Sequence, residues 1–195
     1  MNLLYVNACP RLPGISRTRR LADAYLAAFR AAHPRARVLT HDLPVMGLAA
    51  LDGNALSRRE ALIDARAWSE PVFSSALAFA RADAVVVAAP YWDLMFPAML
   101  KVYVEHLFVR ELTFRYQGDT PIGLCRARRA LYLTSAGGLI ADCDFGTAYL
   151  RAAFAMLGIP RFEHVAAEGL DMAYADAESL LAPALARAAR LGREA

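Results

Sequence analysis

Residues Ala84 to Tyr116 read AVVVAAPYWDLMFPAMLKVYVEHLFVRELTFRY, and the fold turns on this stretch. It opens as an unbroken run of small and β-branched apolar residues, the pattern of a strand covered on both faces. Pro90 and Pro97 then bracket an aromatic loop, and an almost wholly apolar helix restarts at Pro97, which suits a first helical position. Leu100, Val104, Leu107 and Phe108 follow at core spacing. A buried strand that ends in such a loop and returns through a helix is a unit of an open α/β sheet. That architecture binds ligands in the crevice beyond the carboxyl ends of its strands. Tyr91, Trp92 and Leu94 therefore either flank a flat ring or fill core beneath the following helix.

Outward from this stretch, apolar runs alternate with helical patterns. Asn2 to Asn7, Ala36 to His41, Ala84 to Ala89, Ala130 to Thr134 and Phe162 to Ala167 read as strands. Arg17 to Ala32 places Leu21, Tyr25, Ala28 and Phe29 on one helical face. Residues 57 to 80 make one longer helix or a pair broken at Pro71. Phe145 to Leu157 stops at Gly158, a helix C-cap, and Ala175 to Leu191 closes the chain. Such alternation implies parallel strands joined by right-handed crossovers. The expected architecture is a doubly wound five-stranded parallel sheet in the order 2-1-3-4-5, with helices on both faces. No repeat, linker or low-complexity segment divides residues 1–195, so one domain is expected.

Composition narrows the function classes. The 195 residues are 57% hydrophobic and 21% charged, as in a globular domain with a large core. The formal charge of +3 comes almost wholly from arginine, Lys101 being the only lysine. The clusters Arg17 to Arg20 and Arg126 to Arg129 lack interleaved aromatics and are too short for a nucleic-acid footprint. Three cysteines, Cys9, Cys125 and Cys143, form no paired framework, and the four histidines show no metal-ligand spacing. His106 is expected on the exposed or interface side of its helix. The N-terminus does not read as a signal peptide, and no apolar run approaches the ~20 residues of a membrane span. A cytoplasmic protein is expected.

The first strand is followed by ACPRLPGISRTRRLADAYL, residues 8 to 26. Pro10, Pro13 and Gly14 force a tight loop, and a helix begins near Ser16 or Arg17. Free N–H groups and the dipole at a helix start suit an anionic phosphate, to which Ser16 and Thr18 add hydroxyls and Arg17 a charge. Ser16 serves equally well as a plain N-cap. Neither G-x-G-x-x-G nor G-x-x-x-x-G-K-[ST] is present, so a mononucleotide such as FMN fits better than a dinucleotide or a nucleoside triphosphate. The fourth strand ends in TSAGG, residues 134 to 138, where paired glycines permit either close approach to a ligand or an ordinary turn.

PYWDLMFPAMLKVYVEHL, TFRY, LYLTSAGG, and MLGI followed by AEGL together resemble the FMN-dependent NADH:quinone oxidoreductases, also called FMN-dependent NADH-azoreductases. The resemblance spans nearly the whole chain. It implies a flavodoxin-like homodimer with one FMN per subunit near the interface. It implies electron transfer from NADH or NADPH, then in a second half-reaction to quinones or azo compounds, a ping-pong cycle. The positions it implies for phosphate binding are Cys9, Ser16, Arg17 and Thr18. For the ring they are Tyr91, Trp92, Asp93 and Leu94, and for the fourth-strand turn Ser135, Ala136, Gly137 and Gly138. Cys9 stands where the family usually has serine, Asp93 where it has asparagine, and Ala136 where a larger residue is common. Tyr91 and Trp92 stand where methionine and tyrosine are usual.

In this reading the cofactor carries the chemistry and no side chain acts as nucleophile or general acid. Asp93 either accepts from the flavin N3–H, which favours binding, or faces O4 or N5; it is expected to lower the flavin potential, because a carboxylate there disfavours an anionic reduced flavin. Met99, Val102, Tyr103, Phe108 and Val109 widen the apolar surface of the helix after Pro97, as a subunit interface requires. Two other classes compete: a non-catalytic electron carrier, and a fold relative that has lost FMN and works as a binding module.

Overall fold

The computed structural model describes residues 1–12 and 14–195; Pro13, one of the residues expected to tighten the first loop, lies outside the described residues. The strands are β1 (Asn2–Asn7), β2 (Arg37–Asp42), β3 (Ala84–Ala88), β4 (Phe114–Gln117), β5 (Thr120–Gly123), β6 (Arg129–Ser135) and β7 (Arg161–Ala167). The helices are α1 (Arg17–Ala32), α2 (Leu43–Met46), α3 (Gly53–Asp64), α4 (Ser74–Arg81), α5 (Ala98–Leu107), α6 (Phe145–Met156) and α7 (Ala177–Arg193). Five strands pair in parallel in the order β2-β1-β3-β6-β7, which is the expected 2-1-3-4-5 once the separate β4-β5 hairpin is set aside.

The sheet is covered on both faces. Leu21, Tyr25 and Phe29 of α1 and Leu181 and Ala188 of α7 pack with Leu3, Val86, Leu131 and Leu133 on one side. Phe79 of α4, Leu100 and Val104 of α5, and Leu150 and Phe154 of α6 meet Leu4, Val6, Val85, Val87 and Tyr132 on the other. All five residues of β3 are buried, which explains its apolar run without alternation. Each such Val, Leu or Phe contributes roughly 1.5–3 kcal/mol by leaving water. The α1–α7 contact is close because Gly192 has no side chain: a Cβ there would stand 2.4 Å from the Tyr25 carbonyl oxygen.

Several elements refine the sequence reading. Residues 57 to 80 are the broken pair, with a 3-10 turn at Pro71–Phe73 opening α4. Pro97 caps α5 rather than starting it, and α7 begins after Asp176, whose carboxylate accepts from the Glu178 and Ser179 amides. Gly158, with φ +97°, ends α6: its N–H bonds to Ala155 and that of Ile159 to Phe154, the paired bonds of a Schellman cap. The TFRY segment does not continue the apolar helix but forms β4, antiparallel to β5.

The helix surface expected at a subunit interface is narrower than anticipated. Tyr103 and Val109 are buried within the chain, and the Tyr103 hydroxyl meets His41 Nδ1 at 2.9 Å. His106 is buried as well, not exposed, with Nε2 2.9 Å from the Ala49 carbonyl oxygen. Met99, Val102 and Phe108 remain partly exposed. Among the described residues no helix is long and apolar enough to cross a membrane.

Candidate anion- and ring-binding site

The carboxyl ends of β1, β3 and β6 lie side by side, so their loops meet at one edge of the sheet. At the first, Ser16 caps α1 and its Oγ accepts from the Arg19 N–H at 3.2 Å. Capping uses a lone pair and leaves the hydroxyl proton free to donate, so the cap and the anion ligand are compatible roles. The Arg17 and Thr18 amides have no partner among the described residues, and α1 has no acidic residue in its first turn. The positive end of that helix therefore faces the crevice.

A small cavity of about 80 Å³ opens there. The first loop contributes Pro10, Arg11, Ser16, Arg17 and Thr18 to its wall, the third Pro90 and Trp92, and the fourth Ser135, Ala136 and Gly137, with Asp171 closing it. A single water needs about 10–15 Å³ of such space, so the cavity has room for a group of phosphate size. Thr18 Oγ1 and Ser135 Oγ are 2.5 Å apart and join two of the walls.

Beside the cavity, residues 92 to 95 form a two-residue hairpin: the Trp92 and Met95 amides exchange bonds with each other's carbonyls at 3.3 and 2.8 Å. Its central residues, Asp93 and Leu94, have φ of +48° and +66°, the backbone that type I′ turns demand. Neither is glycine, so the turn carries strain, which clusters at ligand sites. Trp92 and Leu94 are 43% and 48% exposed and do not fill core; Phe96, buried, does that. Tyr91 is anchored at both ends, its amide donating to Ser135 O at 3.0 Å and its hydroxyl to Cys143 O at 3.0 Å. The result is an exposed apolar ledge held next to a polar cavity.

Other expected residues lie elsewhere. Cys9 is buried outside the cavity wall and its thiol donates to Ala88 O at 3.5 Å. Burial pushes that thiol up to about 11, so it carries no thiolate near neutral pH. Asp93, Leu94, Tyr91 and Gly138 stand outside the cavity wall. Gly137 and Gly138 do not use positive φ. Gly137 instead leaves room for Asp171, whose Oδ2 would lie 2.5 Å from a Cβ at that position.

The sequence reading omits Arg11, Pro90 and Asp171 from the wall. Arg11 lies within the first-loop segment quoted above and Pro90 opens the aromatic loop, so both stand in stretches already singled out. Asp171 directly follows the AEGL motif but reaches the cavity through contacts distant in sequence. Among the described residues no group of three or more His, Cys, Asp or Glu side chains is placed to hold a metal ion.

Fold and site together define a flavodoxin-type α/β protein whose strand-end loops set an anion cavity beside an aromatic ledge. The chain belongs to the family described as having the flavodoxin-like fold, which matches residues 1–191. It is 32% identical over 197 aligned positions to FMN-dependent NADH:quinone oxidoreductase 2 of Clostridium acetobutylicum, covering 98% of each chain. Its fold superposes on an azoreductase from Bacillus anthracis str. Sterne with a TM-score of 0.90, at 24% identity and full coverage of both chains. An FMN-dependent NADH-azoreductase from Bacillus anthracis str. Ames Ancestor, in complex with FMN, superposes with a TM-score of 0.88 at 21% identity, over 99% of this chain and 98% of that one.

Proposed function

We propose that this chain is an FMN-dependent oxidoreductase that takes electrons from NADH or NADPH and passes them to quinones, azo compounds or a related flat acceptor in a ping-pong cycle. The observation that carries the proposal is the phosphate-sized cavity at the start of α1, adjoining the exposed Trp92–Leu94 ledge. The name of the Clostridium relative supports the same reading. When bound, FMN supplies reversible two-electron chemistry that no side chain here provides.

The chain's own part is to bind, orient and tune. The Ser16 hydroxyl, the Arg17 and Thr18 amides and the Arg11 charge are suited to the phosphate. Trp92 and Leu94 present apolar surface to the ring, and Tyr91, tied to Ser135 and Cys143, fixes the ledge from behind. Asp93 sits at the tip of the turn, from which a carboxylate close to the bound ring would lower the potential. In the fourth-strand turn the Ala136 amide already donates to Ala167 O, so the Gly137 and Gly138 amides are the ones that would meet a bound cofactor. Cys9, bonded through its amide to Asn7 Oδ1 and through its thiol to Ala88 O, anchors the start of the phosphate loop to the strands.

The chain is read as one cytoplasmic domain that pairs with a second copy. Met99 and Val102 on α5, with the 78% exposed Val45 on α2, supply the apolar surface for that pairing. Light scattering at micromolar protein tests it, and a monomer throughout would refute it.

The enzyme itself is tested by the visible spectrum of the purified protein. A flavin spectrum that NADH bleaches anaerobically, and that a quinone restores, is expected. A colourless protein that takes up no added FMN would favour the fold relative without cofactor. Slow bleaching with no quinone turnover would favour the electron carrier.

A further inference from the structure

The cavity contains an anion of its own. Residues 169–171 run along the TSAGG turn, where the Gly169, Leu170 and Asp171 amides donate to Gly138 O, Ala136 O and Gly137 O at 2.9, 3.2 and 2.8 Å. These bonds fix the Asp171 backbone, and its carboxylate leans across the open side of Gly137. Asp171 Oδ1 pairs with Arg17 Nη2 at 2.5 Å, while Arg17 Nη1 donates to Leu170 O at 2.8 Å. Two of the donors of Arg17 are thus spent on the protein. Arg11, in the same wall, has no ion-pair partner among the described residues.

A phosphate monoester brings about −1.5 to −2 charges at neutral pH. Entering this cavity, it meets a fixed carboxylate and a guanidinium already satisfied by that carboxylate. We propose that Asp171 is a specificity-determining residue for the phosphate end: an internal competitor for Arg17 that limits how tightly a phosphate monoester is held. The inference rests on the FMN reading above. Asp171 then makes the cofactor exchangeable, with Arg11 and the α1 amides as its uncontested holders. A carboxylate that merely positioned Arg17 for the phosphate would give an effect of the opposite sign.

Fluorescence titration of apoprotein with FMN and with riboflavin, which lacks the phosphate, separates them. For Asp171→Asn, removal of one like charge at this range is expected to tighten FMN on the order of fivefold and steepen the salt dependence. Riboflavin affinity stays unchanged. Asp171→Glu keeps the charge and is expected to give no tightening. The Asp171 side chain is 65% exposed, so both variants should fold, and circular dichroism checks this.

Unchanged or weaker FMN binding by Asp171→Asn, or an equal change for riboflavin, would overturn the proposal. So would Asn and Glu variants that behave alike. If wild-type protein binds neither flavin, the cofactor reading fails, and inorganic phosphate still decides the role of Asp171. Greater protection of Asp171→Asn than of wild type against thermal unfolding supports it, and equal protection overturns it.

Discussion

Thr18 Oγ1 and Ser135 Oγ stand 2.5 Å apart, so one hydroxyl pair locks the start of α1 to the end of β6. Thr18 is buried, and its partner lies 117 residues away in sequence. Two walls of the cavity are thereby held in register by the protein's own groups, which lowers the ordering cost of binding.

Thr18→Val keeps the shape and removes this bond. A loss of about 1 kcal/mol in urea denaturation is expected, because Ser135 loses its partner. FMN affinity should fall on the order of tenfold, which corresponds to about 1.4 kcal/mol. Thr18→Ser should preserve both. Wild-type affinity in the valine variant would show that the wall needs no such tie.

Asp93→Asn replaces the acidic tip of the ledge with a neutral donor of equal size. The flavin midpoint potential is expected to rise by roughly 30 mV, equivalent to about 1.4 kcal/mol for a two-electron couple. Redox titration reads this directly, and an unchanged or lower potential would remove the tuning role. Asparagine tolerates positive φ, so the turn itself should survive.

Glycines offer a packing test independent of any ligand. Gly192→Ala pushes a methyl group against the Tyr25 carbonyl oxygen, and Gly123→Ala pushes one to 2.1 Å from the Gly158 nitrogen. Backbone atoms cannot step aside as flexible side chains do, so each should cost about 1–3 kcal/mol or more. Gly138→Ala, with nothing within 4 Å of the new methyl group and no positive φ, should be nearly neutral. Equal melting temperatures across the three variants would contradict these contacts.

Two imidazoles, His41 buried and His164 partly buried, give stability a pH dependence. Desolvation lowers the pKa of His41, and also that of His164, where Asp144 at 3.7 Å opposes the shift. Both bind a proton less readily in the fold than in the unfolded chain, which binds protons near pH 6.5. Their contribution is complete above that value and is lost as pH falls through it toward the lower folded pKa values. The unfolding free energy should therefore drop between pH 7.5 and pH 5, by at most about 1.4 kcal/mol per pH unit for each histidine, and the melting temperature with it. His41→Gln should flatten part of the drop, and an unchanged slope in that variant would exclude His41.

Local periodicity made the sheet legible. Apolar runs such as Ala84 to Ala88 reveal strands buried on both faces, and Pro71 and Gly158 mark helix limits by backbone chemistry that needs no partner. Hence the five parallel strands, their order and the three strand-end loops of the candidate site follow from sequence. What apolar character cannot tell is what covers it. Tyr103 and Val109 have the spacing of an interface, yet their own chain buries them, since His41 and the Ile63–Phe73 cluster reach them only after folding.

The same distinction applies to the remaining surprises. Phe114 and Tyr116 continue an apolar stretch in sequence, but pairing with residues 121 and 123 makes them a strand. Asp171 is an unremarked acidic residue until its segment pairs with the TSAGG turn and sets its carboxylate against Arg17. The sequence by itself determined the α/β framework and where it would bind a ligand, because strand and helix periods and turn chemistry act over a few residues. Only the tertiary structure decided which apolar faces are covered and which charge stands in the cavity, because those contacts join residues up to 154 positions apart.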